Sequence, residues 1–255
     1  MRAKLFAFIT LIGAGAAGYT LLPYTPIPGY FDAFANRVSA LAGFGAENIR
    51  NRVLPELESQ LSSADLAIGT PVFIRVFNAE RDLEIWLRGD KRYRLFKRVG
   101  FCPPNGDTTQ TGFAGLGVYN ITREGLVPNS PHHLEITLTP LTPLTSGAPE
   151  DTREQGQATP PAIYGNCEGS DGIALENSDI EPVFILIDTA LRAGQSQVPV
   201  HVFEQHQTMD DAPGSEDAFE SVPAPGLYDV YTAFERTRIP PEVHKADGRY
   251  RVDAN

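Results

Sequence analysis

The side chains that could do chemistry form three short groups: two cysteines, two adjacent histidines and a Ser-Asp pair. They are Cys102 and Cys167, His132 and His133, and Ser170 and Asp171. A cysteine beside a histidine could supply an activated thiolate, and a serine with a histidine and an aspartate could form a hydrolytic site. Ser, Asp and Gly also favour turns, so a loop is the simpler interpretation of the Ser-Asp segment.

The same residues do not have the pattern of a metal site. Neither cysteine lies in a C-x-x-C or similar ligand spacing, which argues against zinc. Glu168 and Asp171 supply two carboxylates, too few to hold a cation without further ligands. We therefore expect no metal and no cofactor.

The histidine pair lies in a segment with strand character. Adjacent residues on a strand point to opposite faces, so we expect only one of His132 and His133 to face any groove.

The charge balance excludes some partners. The chain of 255 residues has a formal net charge of -11, which argues against nucleic acid and against anionic lipid bound through bulk charge. Many of the acidic residues lie toward the C-terminus, in residues 204–220, a pattern that is typical of a solvated loop.

The first residues predict export. Arg2 and Lys4 precede an apolar run over residues 5–17, which contains an A-x-A cleavage pattern. We predict that residues 1–22 form a signal peptide or an N-terminal membrane anchor, with anchoring possible through residues 5–22. The protein would be periplasmic, or anchored in the inner membrane and facing the periplasm. In such an oxidising compartment an isolated cysteine pair is more often a disulfide than a metal site.

Periodicity predicts the elements that would position these residues. Residues 23–69 read as a linker and two amphipathic helices, the second carrying Ile49, Val53, Leu57 and Leu61 on one face. Strands are predicted at 72–77, 83–87, 93–96, 117–122, 133–138 and 198–203, the first three as a meander with Trp86 in the core. Helices are predicted from a capping box at 178–181 to Gly194, and over 227–238. This order predicts an α+β domain with a β-rich core.

Several of these segments resemble one known family. Gly117-Val118-Tyr119-Asn120-Ile121-Thr122 is similar to a "G-x-Y-x-I-T" strand, residues 126–134 to an "N-P-x-S-x-Y-H-L" segment, and residues 233–241 to an "A-F-E-x-x-R-x-P-P" ending. In this order they resemble the L,D-transpeptidase catalytic domain (the YkuD-like family), and in particular its proteobacterial murein-acting branch. The resemblance covers residues 70–243 and leaves residues 244–255 as a C-terminal tail.

The resemblance implies an acyl transfer that this chain does not have the residues to perform. In the family a cysteine thiolate attacks a stem-peptide amide of peptidoglycan, within a block resembling "H-G-x-C-x-S-x-G-C". Here Tyr164 stands at the histidine position and Gly172 at the nucleophile position, while Cys167 matches the inner cysteine. The family's "G-Y-P-N-x-Y-D" stretch is also absent. The implied but degenerate pocket comprises His133, Tyr164, Gly165, Asn166, Ser170, Asp171 and Gly172.

These substitutions lead to three functional hypotheses. Glycine has no side chain to attack with and tyrosine is a poor base at neutral pH, so we predict an inactive protein that binds peptidoglycan stem peptides or a murein-modifying partner. The resemblance also implies a Cys102–Cys167 disulfide. The second hypothesis is an active L,D-transpeptidase or amide hydrolase with a relocated nucleophile, using Cys167 with His133, or Ser170 with Asp171 and a histidine. The third is a purely structural or interaction protein of the cell envelope.

Overall fold

The computed structural model describes residues 45–103, 115–141, 161–167, 172–206 and 224–253. The predicted leader, the linker and first amphipathic helix, residues 168–171 and most of the acidic loop lie outside these residues. The chain divides into two compact units, Met1–Gly45 and Ala46–Asn255, and the second is described below. Among the described residues no helix is both long and apolar enough to span a membrane.

The described elements alternate between β-rich and helical segments. The helices are α1 (Gly45–Ser63), α2 (Asn177–Arg192) and α3 (Leu227–Thr237), with a 3-10 turn at Arg123–Gly125. The strands are β1 (Val72–Phe77), β2 (Asp82–Arg88), β3 (Tyr93–Gly100), β4 (Gly117–Ile121), β5 (Leu126–Ser130), β6 (His133–Thr137), β7 (Thr139–Pro140), β8 (Ala162–Tyr164), β9 (Ile173–Ala174), β10 (Val198–Phe203), β11 (Val243–Ala246) and β12 (Arg249–Val252). The predicted α+β fold class is confirmed.

The strands form three sheets. The largest has the order β3-β2-β1-β10-β4-β7, in which β1 and β10 run parallel and the other neighbours antiparallel. The predicted β1-β2-β3 meander is therefore confirmed. A second sheet has the order β5-β6-β8-β9, with β8 and β9 parallel, and a third is the β11-β12 hairpin.

Both faces of the large sheet are buried at its inner strand β1, which explains why that strand is apolar at nearly every position. Ile74 and Val76 face a core shared with α1, α2 and the second sheet. Phe73 and Phe77 face the other way, toward α3 and the hairpin. Alternation along the strand therefore divides one apolar run between two cores.

Helix α1 packs through the face that the sequence predicts. Ile49, Leu57 and Leu61 are buried in the main core. The helix also reaches α2 through polar contacts, because Arg50 Nη1 donates to Asp188 at 3.2 Å and Arg52 Nη2 donates to Glu181 at 2.8 Å.

The predicted capping box at the start of α2 is wrong. The helix begins at Asn177, its N-cap residue is Glu176, and no side chain caps it. Glu181 instead lies buried and bonds Arg52 and His133. The predicted end is confirmed, since Gly194 has a φ of +110° and Gln195 N donates to Ala190 O at 3.1 Å.

The predicted C-terminal tail contains the β11-β12 hairpin. Asp247 and Gly248 form its turn with φ angles of +51° and +75°, the positive values that an Asp-Gly hairpin turn requires. Tyr250 is buried beside Leu227 and Val230 of α3, so the hairpin belongs to the domain core.

A buried charged cluster lies under α3. Arg75 is 1% exposed, and its Nη1 lies 2.7 Å from Glu235 Oε1 and 3.5 Å from Glu84 Oε2. Glu84 Oε2 also accepts from Trp86 Nε1 at 2.8 Å, which confirms Trp86 as a core residue. Four aromatic rings surround the Arg75 guanidinium: Phe77, Phe203, Tyr231 and Phe234.

Candidate functional site

The two family positions come together at the end of β8. The strand runs through Tyr164 into a loop, and the chain enters β9 just after Gly172, parallel to β8. A Cβ atom at Gly172 would lie 2.8 Å from Tyr164 Cε1. The structure therefore brings Tyr164 and Gly172 into one small site, as the motif spacing implies.

The backbone at Gly172 leaves no room for a side chain. Its φ is +146°, a conformation that residues with a Cβ rarely adopt, and a Cβ would lie 2.5 Å from Ala162 O. That oxygen is main chain and cannot rotate away. In this conformation no cysteine fits at Gly172, the position that the motif resemblance aligns with the family's nucleophile.

The cysteine pair supplies no nucleophile either. Cys102 and Cys167 are joined by a disulfide with a Cα–Cα distance of 5.4 Å, which confirms the predicted bridge. These are the only two cysteines of the chain, so the folded protein has no free thiol. The hypothesis that Cys167 attacks with His133 as base does not fit, because a thiolate is the reactive form of cysteine. The sulfurs lie near Glu176, but a disulfide is no thiolate ligand for a metal.

Helix α2 holds the loop after β8 through a pair of asparagines. Asn166 N donates to Asn177 Oδ1 at 2.8 Å, and Asn177 Nδ2 donates to Asn166 Oδ1 at 2.9 Å. Gly165 makes this close approach possible, because a Cβ there would lie 2.6 Å from Asn177 Oδ1. The predicted pocket residues Gly165 and Asn166 therefore shape the loop main chain.

The two adjacent histidines face different partners. His133 has a φ of +72°, and its Nε2 lies 2.9 Å from Glu181 Oε1. The ring of His132 lies over that of Tyr164 at a centroid distance of 5.1 Å, and His132 O accepts from Gly165 N at 3.1 Å. The sequence assigned only His133 to the pocket, whereas His132 contacts Tyr164.

The Glu181 carboxylate links the site to α1. It is 4% exposed and its Oε1 accepts bonds from Arg52 and contacts His133 Nε2. The hydrogen bond to Glu181 raises the pKa of Arg52 above its ordinary value. A buried carboxylate beside an imidazole can orient the ring, so this pair has the arrangement of a base and its orienting acid.

The structure leaves one predicted group untested. Ser170, Asp171 and Glu168 fall outside the described residues. Among the described site residues, the available groups are one imidazole over a tyrosine, a second imidazole paired with a carboxylate, and main-chain amides. This set can bind polar peptides by hydrogen bonds, but it contains no thiol for thioester chemistry.

Comparison with known proteins gives one informative match. No protein-family model matches this chain. Over 227 residues the chain is 26% identical to "Putative L,D-transpeptidase YafK" of Escherichia coli strain K12, with 84% of this chain aligned to 85% of that protein. The protein of the same name from Escherichia coli O157:H7 aligns identically. The chain is L,D-transpeptidase-like over most of its length. The family resemblance seen in the motifs is therefore confirmed.

Two solved structures show weak similarity. They are a mutant of the helical cell shape determining protein Pgp2 from Campylobacter jejuni, at 16% identity and a TM-score of 0.33, and Bd1075 of Bdellovibrio bacteriovorus, at 14% identity and a TM-score of 0.32. The matches cover 54% and 66% of this chain but only 48% and 61% of those proteins.

Proposed function

We propose that this L,D-transpeptidase-like protein is a non-catalytic envelope protein that binds peptidoglycan stem peptides. The observation that carries the proposal is the loss of every sulfur nucleophile. Gly172 stands where the resemblance places the nucleophile, a Cβ there would lie 2.5 Å from Ala162 O, and both cysteines of the chain are in one disulfide. The remaining polar groups can hold a peptide without attacking it.

The binding surface in this proposal includes the degenerate site. His132 is half-buried over Tyr164, and His133 and Arg52 share Glu181 beside the same strand. Stem peptides carry amides and carboxylates, and imidazole and guanidinium groups recognise both by hydrogen bonds.

An extracytoplasmic location supports the same proposal. The basic and apolar pattern of residues 1–22 predicts export, and a disulfide persists in an oxidising compartment. The periplasm is also where a peptidoglycan ligand would be found. Membrane anchoring through residues 5–22 belongs to the same proposal.

The test uses the full chain and a purified disaccharide-tetrapeptide from peptidoglycan. Titration calorimetry should show saturable binding, and mass spectrometry of the mixture should show neither cleavage nor cross-linking. His132→Ala should lower the affinity at least about fivefold if its ring contacts the peptide. His244→Ala, in the β11-β12 hairpin, is the matched control and should leave the affinity unchanged. If His132→Ala leaves the affinity unchanged, the peptide binds elsewhere and the proposed binding surface is wrong.

A hydrolase is the second candidate, and the His133–Glu181 contact at 2.9 Å favours it. Such an imidazole could activate water at a stem-peptide amide. Turnover that is lost in His133→Ala would replace the non-catalytic proposal with this one. If neither binding nor turnover is found, the third hypothesis, docking to a murein-modifying protein, gains support.

A further inference from the structure

A trough lies between helix α1 and strand β3. Its main cavity has a volume of about 740 Å³ and continues into a second of about 280 Å³. The two cavities share four lining residues: Glu56, Gln60, Phe96 and Lys97. One wall is the polar face of α1, and the other is formed by residues 94–97 of β3.

Strand β3 forms the outer edge of the large sheet. In the described part of the chain β3 pairs with β2 alone. Residues 94–97 of β3 all line the trough, and the register of β3 with β2 shifts within them, so this stretch of the outer strand borders the trough. An outer strand presents unpaired N–H and C=O groups that can bind another extended chain.

The end of β2, the turn after it and most of β3 are strongly basic in a protein that is acidic. Residues 88–98 contain six Lys or Arg and one acidic residue, Asp90, whereas the whole chain has a net charge of -11. Glu84 accepts bonds from Arg98, and Asp179 pairs with Lys97. Lys91, Arg92 and Arg94 are exposed and have no carboxylate partner among the described residues. A cluster of uncompensated cations attracts an anionic ligand.

We propose that β3 binds an extended peptide bearing several carboxylates, which adds as a new strand along the trough. The strand edge supplies main-chain hydrogen bonds, and Arg92 and Arg94 supply ion pairs. Leu95, which follows Arg94 and is 39% exposed, offers an apolar contact. A membrane surface would use the cations alone, whereas a trough bordered by an outer strand suits a single extended chain. The residues varied in the tests below, Arg92 and Arg94, are not part of the surface proposed for stem peptides, although the second cavity of the trough is also lined by Arg52 and Glu181 of that surface.

The first test measures affinity with a fluorescent octapeptide of alternating Glu and Val added to the full chain. Binding should saturate, and it should weaken as salt is added, because salt screens exposed charges. Arg94→Glu should raise the Kd at least about tenfold. Arg251→Glu on β12 changes the net charge equally at another exposed arginine and should leave the Kd unchanged. Arg92→Glu repeats the test if Arg94→Glu proves unfolded by circular dichroism.

The second test separates strand addition from charge attraction. The same peptide with every second amide N-methylated keeps its carboxylates but loses strand hydrogen bonding, so it should bind at least about tenfold more weakly. Equal binding of the methylated peptide would overturn the strand-addition proposal, as would equal effects of Arg94→Glu and Arg251→Glu. Binding to phosphatidylglycerol vesicles without binding to the peptide would also overturn it.

Discussion

Placing a methyl group at Gly172 should destabilise the protein strongly. In Gly172→Ala the new Cβ would lie 2.5 Å from Ala162 O and 2.8 Å from Tyr164 Cε1, on a backbone with a φ of +146°. A disfavoured backbone conformation costs about 1–3 kcal/mol, and an overpacked contact costs a further 1–3 kcal/mol or so. We therefore expect the free energy of unfolding to fall by about 2–6 kcal/mol, measured by urea denaturation.

Gly194→Ala is the matched control for this prediction. Gly194 also has a positive φ, +110°, but apart from its chain neighbours no atom lies within 4 Å of the position that a methyl group would occupy there. The control should lower the free energy of unfolding only by the cost of the disfavoured backbone conformation, about 1–3 kcal/mol. The difference between the two variants therefore measures the cost of the steric contact. If Gly172→Ala loses no more stability than Gly194→Ala, a cysteine could fit at the nucleophile position and the reasoning about the lost site is wrong.

Three further perturbations test the rest of the structure. Reducing the Cys102–Cys167 bond, which joins residues 65 apart, should lower the free energy of unfolding by about 4 kcal/mol on the chain-entropy model, seen in urea melts with and without reductant. Burial, and secondarily the charge of Arg75, lowers the pKa of His201 to about 3, so the neutral ring stabilises the fold above pH 6.5 and this contribution is lost as the pH falls. His201→Phe should therefore reduce the stability lost between pH 6.5 and 5 by about 2 kcal/mol in urea melts at the two pH values. Glu84→Ala should cost about 3–5 kcal/mol by thermal denaturation, because it leaves the buried Arg75 cation without one of its partners.

Most of the fold could be predicted from local patterns. The β-branched and aromatic run at residues 72–77 and the helical spacing of Ile49, Leu57 and Leu61 match β1 and α1. These patterns are predictive because the spacing of apolar residues along a helix or strand determines which of its faces is buried. The hairpin at the C-terminus was not predicted although its Asp247-Gly248 turn signal is present, because its strands have only four residues each and Val243–Ala246 lacks the alternation that Arg249–Val252 shows.

The site could be predicted in part. The spacing of the family motif placed Tyr164, Gly172 and Cys167 in one block, and the structure keeps Tyr164 and Gly172 adjacent. The contact between the rings of His132 and Tyr164 could not be predicted. Strand alternation fails at this point, because His133 has a φ of +72°.

The partners of buried polar side chains could not be predicted from local sequence patterns either. Glu181 fits a capping box in sequence, but its carboxylate bonds Arg52, which is 129 residues away along the chain. Such pairs depend on how α1 packs against α2, and no short window of sequence contains both residues.

Intact-mass spectrometry tests the absence of covalent chemistry most directly. The full chain is incubated with a thiol-reactive carbapenem and, separately, with the disaccharide-tetrapeptide. Unchanged protein mass in both mixtures, with no free thiol on the native chain, is the result we predict. A stoichiometric acyl adduct on any residue would contradict the account, and its mapped position would identify the nucleophile.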